Sequence, residues 1–198
     1  MEKSPQLYGL VLAGGRSTRM GKDKAKLQYH GISQQEYAFQ LLSAFCERVF
    51  ISLRKGQEGV GDSRCIFDEN LTKGPLNGML SAHLTHPKVA WLVLACDTPL
   101  VDKETLRNLV SERDTSKMAT AMTTQQRDIP EPLIAIWEPK GLTKILEYSK
   151  TSNSVYPTQF LTDNPVKKVY PDSDLKLANA NHPEEYEQIL NLLKAKAT

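Results

Sequence analysis

Val89 to Ala95 is a run of seven residues with no charge and no small polar side chain, the most apolar stretch of the chain. It is far short of the ~18 apolar residues of a membrane helix. With neither face suited to water, it reads as a central strand buried on both sides of a parallel sheet. Parallel neighbours cannot be joined by tight turns, so helices must separate the strands. The chain supplies them. Tyr8 to Ala13 is a second apolar run, and Ser33-x-x-Glu36 has the form of a capping box ahead of Tyr37, Ala38, Leu41, Leu42 and Phe45 at helical spacing. Val49 to Leu53 then closes a strand, helix, strand unit. A short strand at Cys65 to Phe67, a Gly74-Pro75 turn and a helix from about Leu76 to His86 lead to the central run. Beyond it, Asp102 can cap a helix carrying Leu106, Leu109 and Val110, and Met118 to Met122 and Leu133 to Trp137 read as strands. Residues 151 to 165 show little periodicity and read as a loop. Val166 to Tyr170 suits an edge strand, and Pro183 opens a last helix with Tyr186, Ile189, Leu190 and Leu193 on one side. The expected fold is α/β: a three-layer sandwich with a mostly parallel, Rossmann-like sheet, in a single domain over residues 1–198.

Charge narrows the function classes. The 25 basic and 23 acidic residues balance to +2, which excludes a dedicated nucleic-acid binder and leaves only a local basic site. Cys46, Cys65 and Cys96 form no C-x-x-C pair and read as reduced core thiols. Met1 to Leu10 never builds the apolar stretch of a signal peptide, so a cytoplasmic protein without membrane contact is expected. His30, His83, His86 and His182 are scattered without metal-ligand spacing and read as surface or packing residues. No nucleophile elbow appears.

The local basic site is plain. Arg16, Arg19, Lys22, Lys24 and Lys26 set five cations against Asp23 within eleven residues. They follow the first strand in Leu12-Ala13-Gly14-Gly15-Arg16-Ser17-Thr18-Arg19-Met20-Gly21-Lys22-Asp23-Lys24, at the carboxyl edge where open α/β sheets bind ligands. Paired glycines let main-chain amides approach phosphate oxygens, and Arg19 and Lys24 can neutralise phosphate charge. It is neither of two common phosphate loops. Five residues, where a P-loop needs four, separate Gly15 from Gly21-Lys22, and no G-x-G-x-x-G is present. A second candidate is Ala95-Cys96-Asp97-Thr98-Pro99-Leu100, where Asp97 at the end of the central strand can hold Mg²⁺ against nucleotide phosphates or simply form a turn before Pro99. Asp68 with Gly74-Pro75-Leu76-Asn77-Gly78-Met79 gives, from the residues alone, a tight turn into a helix.

Leu12 to Lys24 resembles the L-A-G-G-x-S-x-R-M-G-x-D-K signature of the MobA-type molybdenum cofactor guanylyltransferases. The resemblance implies a nucleotidyltransferase sheet and nucleotide contacts from Leu12, Ala13, Gly14, Gly15, Ser17, Lys24, Asp68, Gly74, Gly78 and Asp97. It implies catalytic roles for Arg19, Lys24 and Asp97, with Asp97 as the Mg²⁺ ligand. Leu177 to Glu185 resembles the family's N-x-N-T-P-E-E segment, with His182 in place of Thr, which implies Asn179 and Asn181 on the acceptor side. Pro130 to Trp137 resembles a further family strand. The implied partners are GTP and molybdenum-molybdopterin, with transient contact to cofactor-biosynthesis or molybdoenzyme proteins, and the implied reaction forms molybdopterin guanine dinucleotide. A related enzyme using CTP or another phosphorylated acceptor, or a non-catalytic nucleotide-binding protein, is the alternative. One departure stands out: Leu53 falls about where the family carries a nucleotide-contacting Asn, so either Ser52 or a backbone group substitutes or base recognition differs.

Overall fold

The structure is a computed structural model that describes residues 4–14, 24–57, 64–152, 154–180 and 182–196. Its strands are β1 (Leu7–Leu12), β2 (Arg48–Leu53), β3 (Cys65–Phe67), β4 (Ala90–Ala95), β5 (Ala119–Thr123), β6 (Pro130–Trp137) and β7 (Val166–Val169). Its α-helices are α1 (Gln34–Ser43), α2 (Pro75–Thr85), α3 (Lys103–Ser111), α4 (Pro139–Thr151), α5 (Pro157–Asp163) and α6 (Pro183–Lys196). Among the described residues the strands form one sheet in the order β3-β2-β1-β4-β6-β5-β7. β4 is central, as its sequence requires: all six residues are buried, with β1 parallel on one side and β6 antiparallel on the other. β6 alone runs against its neighbours, and the other pairings are parallel.

Strand alternation divides the core into two layers. Val11, Val49, Ile51, Leu53, Leu92 and Leu94 face Ala38 and Leu42 of α1 and Leu106 and Leu109 of α3. On the other face, Leu10, Phe50, Trp91, Val93 and Trp137 meet Leu76, Met79 and Leu80 of α2, Leu142 and Ile145 of α4, and Phe160 and Leu161 of α5. The result is the expected three-layer α/β sandwich. A smaller cluster of Leu27, Tyr29, Leu100, Ala180 and Ile189 seats α6.

The caps read from sequence form. Ser33 Oγ accepts the Glu36 N–H at 3.2 Å, and Asp102 Oδ1 accepts the Thr105 N–H at 2.8 Å. Two expectations need correction. Residues 151–165 are not a loop: α4 runs to Thr151 and α5 occupies Pro157–Asp163. Proline opens both helices, where its missing N–H costs nothing, and α5 holds only Phe160 and Leu161 inward, too few for a period to show. β6 also starts earlier than its apolar run, at Pro130, and its two prolines are accommodated where the register with β5 shifts between Ala121 and Thr123. Cys46, Cys65 and Cys96 are not joined in disulfides. Cys96 is buried, whereas Cys46 and Cys65 are only partly so; burial nonetheless pushes the Cys46 thiol up to about 12.

One ion pair ties the far end of the molecule together. Arg113 Nε and Nη2 donate to Glu138 Oε1 and Oε2 at 2.7 and 3.0 Å, and Nη2 also reaches the Pro5 carbonyl at 3.0 Å. The Glu138 side chain is 2% exposed.

Candidate active site

The strand order reverses between β1 and β4, the place where an open α/β sheet leaves a crevice beyond its carboxyl ends. A cleft of about 810 Å³ opens there. Leu12, Ala13 and Gly14 form its floor, Ser52, Arg54, Asp68, Gly74 and Gly78 its β2 and β3 side, and Asp97 and Leu133 its β4 side.

The main chain fixes the floor. The Ala13 N–H donates to the Ser52 carbonyl at 3.2 Å, and the Ala13 carbonyl accepts Gln57 Nε2 at 3.3 Å. A Cβ at Gly14 would stand 3.5 Å from Arg54 Cγ and 3.8 Å from Asp68 Oδ2, so glycine keeps the cleft open there without being sterically compulsory. Gly15, Ser17 and Arg19 lie outside the described residues. Lys24 opens a 3-10 turn, Lys24–Lys26, of which the Lys24 backbone alone is described.

On the β3 side, Asp68 Oδ1 accepts the Ser52 hydroxyl at 3.2 Å, which leaves Oδ2 toward Gly14. Gly74 caps α2 at φ 72° and ψ −159°, a conformation that only glycine adopts readily. Asn77 Oδ1 accepts the N–H groups of Leu71 at 2.7 Å and Thr72 at 3.3 Å, shaping the turn that leads in. Gly78 is compulsory: a Cβ would meet Ser52 Oγ at 2.2 Å and Leu12 Cδ2 at 3.1 Å. Gly78→Ala is therefore expected to cost about 1–3 kcal/mol of stability by overpacking and to weaken nucleotide binding by shifting Ser52 off Asp68. Thermal melts with nucleotide titrations check both, and an unchanged Gly78→Ala protein would show that α2 has slack against β2.

Asp97 follows β4 and is half-buried. Its main-chain carbonyl accepts the Ala180 N–H at 2.7 Å, and the turn beyond it is braced by Thr98 Oγ1 on the Ala95 carbonyl at 2.9 Å and by His30 Nε2, 2.9 Å from the Pro99 carbonyl. The Ala180 bond brings the exposed Asn179 to the Asp97 side of the cleft; Asn181 lies outside the described residues. Lys176 fastens this segment from below, its buried Nζ 3.1 Å from Asp102, 3.0 Å from Asp172 and 3.6 Å from Glu104. Burial alone would lower its pKa, but the bonds to Asp172 and Asp102 outweigh burial and raise it.

Three side chains beside these were not singled out from sequence. Glu131 is one: it stands on β6, antiparallel to β4, near enough to Asp97 for the two charges to interact. Burial pushes its carboxyl up, against the Leu133 N–H bond that lowers it, and the Asp97 charge adds to the rise. Arg54 and Gln57 are the others. Leu53, at about the place of the family's Asn, belongs to the core at 2% exposure, because strand parity turns it toward α1 and α3 while Ser52 and Arg54 face the cleft.

Among the described residues no three His, Cys, Asp or Glu side chains gather as a metal site. Asp97 with Glu131 nearby offers hard oxygen donors and few of them. That set fits Mg²⁺, which is commonly held by one or two carboxylates plus substrate phosphates, and does not fit a thiolate or imidazole site. No described helix is long and apolar enough to cross a membrane.

A family model described as "MobA-like NTP transferase domain" matches residues 9–161. A relative from Synechocystis sp. named "Molybdenum cofactor biosynthesis bifunctional protein" is 33% identical over 186 residues, which are 92% of this chain; the chain spans about half of that relative, 53%. A Pseudomonas putida protein named "Molybdenum cofactor guanylyltransferase" is 29% identical over 88% of this chain and 93% of its own length. Among solved structures, the "Molybdopterin-guanine dinucleotide biosynthesis protein A" of Archaeoglobus fulgidus shares the fold with a TM-score of 0.75 at 20% identity, covering 95% of this chain and 99% of that one.

Proposed function

Because the chain belongs to the MobA-like NTP transferase family, we propose that it transfers GMP from GTP to the terminal phosphate of molybdenum-molybdopterin, releasing pyrophosphate and forming molybdopterin guanine dinucleotide. The arrangement across β1 supports this reading most. Ser52, Asp68 and Gly78 lie on the β2 and β3 side, and Asp97 lies past β4. β2 and β4 are two strand spacings apart, about 10 Å, a span that a nucleotide bridges with its base at one end and its phosphates at the other.

In this reading Asp68 and the turn through Gly78 hold ribose and base, and the amides around Gly14 and Gly15, with Ser17, receive the phosphates. Arg19 and Lys24 offset charge on the α-phosphate and the leaving group. Asp97 would hold Mg²⁺, which when bound neutralises phosphate charge and orients the pyrophosphate. Asn179 and Asn181 line the acceptor side. An acceptor phosphate oxygen attacks the α-phosphorus in line, that P–O bond forms as the bond to the β-phosphate bridge breaks, and pyrophosphate departs with the electron pair. A phosphate monoester is largely ionised near neutral pH, so the chain needs alignment and charge neutralisation more than a strong base. The scattered histidines agree with that: His83 is spent on Thr143, and His86 packs between Tyr8, Phe50 and Trp91.

The test is a panel of nucleoside triphosphates with Mg²⁺ and a molybdopterin-loaded acceptor, following pyrophosphate release. Turnover with GTP is expected. Turnover with CTP and not GTP would overturn the base assignment, and no turnover with any triphosphate would overturn the transferase.

A further inference from the structure

We infer that Arg54 reads the base, donating its guanidinium fork to the O6 and N7 edge of guanine; the inference rests on the guanylyl-transfer reading above. Arg54 lies just past β2 with its backbone fixed, its N–H donating to Gln57 Oε1 at 3.1 Å and its carbonyl accepting the Gln57 N–H at 3.0 Å. The same Gln57 amide reaches the Ala13 carbonyl, so the Arg54 turn is locked to the cleft floor. Its side chain lines the cleft beside Gly14 and Asp68. Nε is buried and has no hydrogen-bond partner among the described residues. A buried guanidinium N–H left unpaired is costly, and in a cleft wall the group that relieves it is a ligand acceptor.

Position selects the acceptor. With Asp97 past β4, the phosphates belong on that side of β1, and Arg54 is on the other, two strands away. The base therefore lies nearer to it than the reacting phosphate does. Guanine presents two adjacent acceptors, O6 and N7, that match a guanidinium fork, and N1–H and N2–H donors that match a carboxylate. Asp68 Oδ2, left over from the Ser52 bond, supplies that carboxylate next to Arg54.

Calorimetric titration of wild type, Arg54→Ala and Arg54→Lys with GTP, 7-deaza-GTP and CTP separates the possibilities, with circular dichroism to confirm folding. Wild type is expected to bind GTP at least ~10-fold more tightly than 7-deaza-GTP, the loss of N7 breaking one arm of the fork. Arg54→Ala should bind GTP at least ~10-fold more weakly and no longer distinguish the two, and Arg54→Lys should recover little, because an ammonium has no fork. Full recovery in Arg54→Lys, or equal wild-type affinity for GTP and 7-deaza-GTP, would make Arg54 a point charge for phosphate and overturn the inference. Unchanged GTP binding in Arg54→Ala would overturn it too, leaving the guanylyl reading intact. Wild type that binds CTP and not GTP would bring down that reading itself.

Discussion

Asp97→Ala is expected to slow pyrophosphate release by at least ~100-fold at saturating GTP and Mg²⁺ while melting within about 2 °C of wild type. The two effects separate because two bonds that brace this position do not use the Asp97 carboxylate. The Asp97 carbonyl accepts the Ala180 N–H, and the Thr98 side chain holds the turn through the Ala95 carbonyl; neither bond involves the Asp97 carboxylate. Truncation removes the oxygens proposed to hold the metal against the phosphates and leaves these two bonds in place. Wild-type turnover in the variant at ordinary Mg²⁺ would remove Asp97 from the chemistry. A large fall in melting temperature with proportionate activity would make it a structural residue.

Glu138→Ala should have the largest effect on stability. It strips the carboxylate from a pair in which Arg113 makes two short bonds, leaving a guanidinium of 14% side-chain exposure with the Pro5 carbonyl as its remaining hydrogen-bond partner among the described residues. Breaking a buried pair from one side costs about 3–5 kcal/mol, and at ~2–4 °C per kcal/mol for a chain of this size the midpoint should drop by roughly 6–20 °C. The double variant Arg113→Met/Glu138→Leu, which removes both charges, should recover much of the loss. A single variant that melts with wild type would show that solvent reaches the guanidinium and replaces the lost partner.

The contrast between these two sites also explains what the sequence could reveal. Val89 to Ala95 and Tyr8 to Ala13 announced their burial because every residue in them is apolar, and Ser33 and Asp102 announced helix starts through side chains that cap nearby N–H groups. A motif that is contiguous, such as Leu12 to Lys24, is equally legible. What could not be read was anything that depends on the sheet's direction or on which face a residue takes. Glu131 comes near Asp97 through the packing of β6 beside β4, and nothing local in Pro130-Glu131-Pro132 announces that antiparallel pairing. Leu53 and Arg54 differ by one position, yet one is core and the other cleft wall. Arg113 and Glu138 are 25 residues apart on elements that meet only through the fold.

The reversed strand has a further effect on how the molecule divides its labour. β5 ends and β6 begins at the cleft edge, and the hairpin between them is bound to the segment that leads to Ala180: Gln125 Nε2 donates to the Pro171 carbonyl at 2.6 Å, and the N–H groups of Gln125 and Gln126 donate to Asp174 at 2.8 and 3.1 Å. The proposed acceptor end is thus woven from residues after about 97, whereas Ser52, Arg54, Asp68 and Gly78 come from before it. The two half-sites meet across the β1 and β4 seam, one drawn from residues before about 97 and the other from residues after it. Exchange of the leading half between relatives could change which nucleotide is donated while the receiving end is inherited whole, so donor choice and acceptor choice are free to evolve by recombination rather than residue by residue.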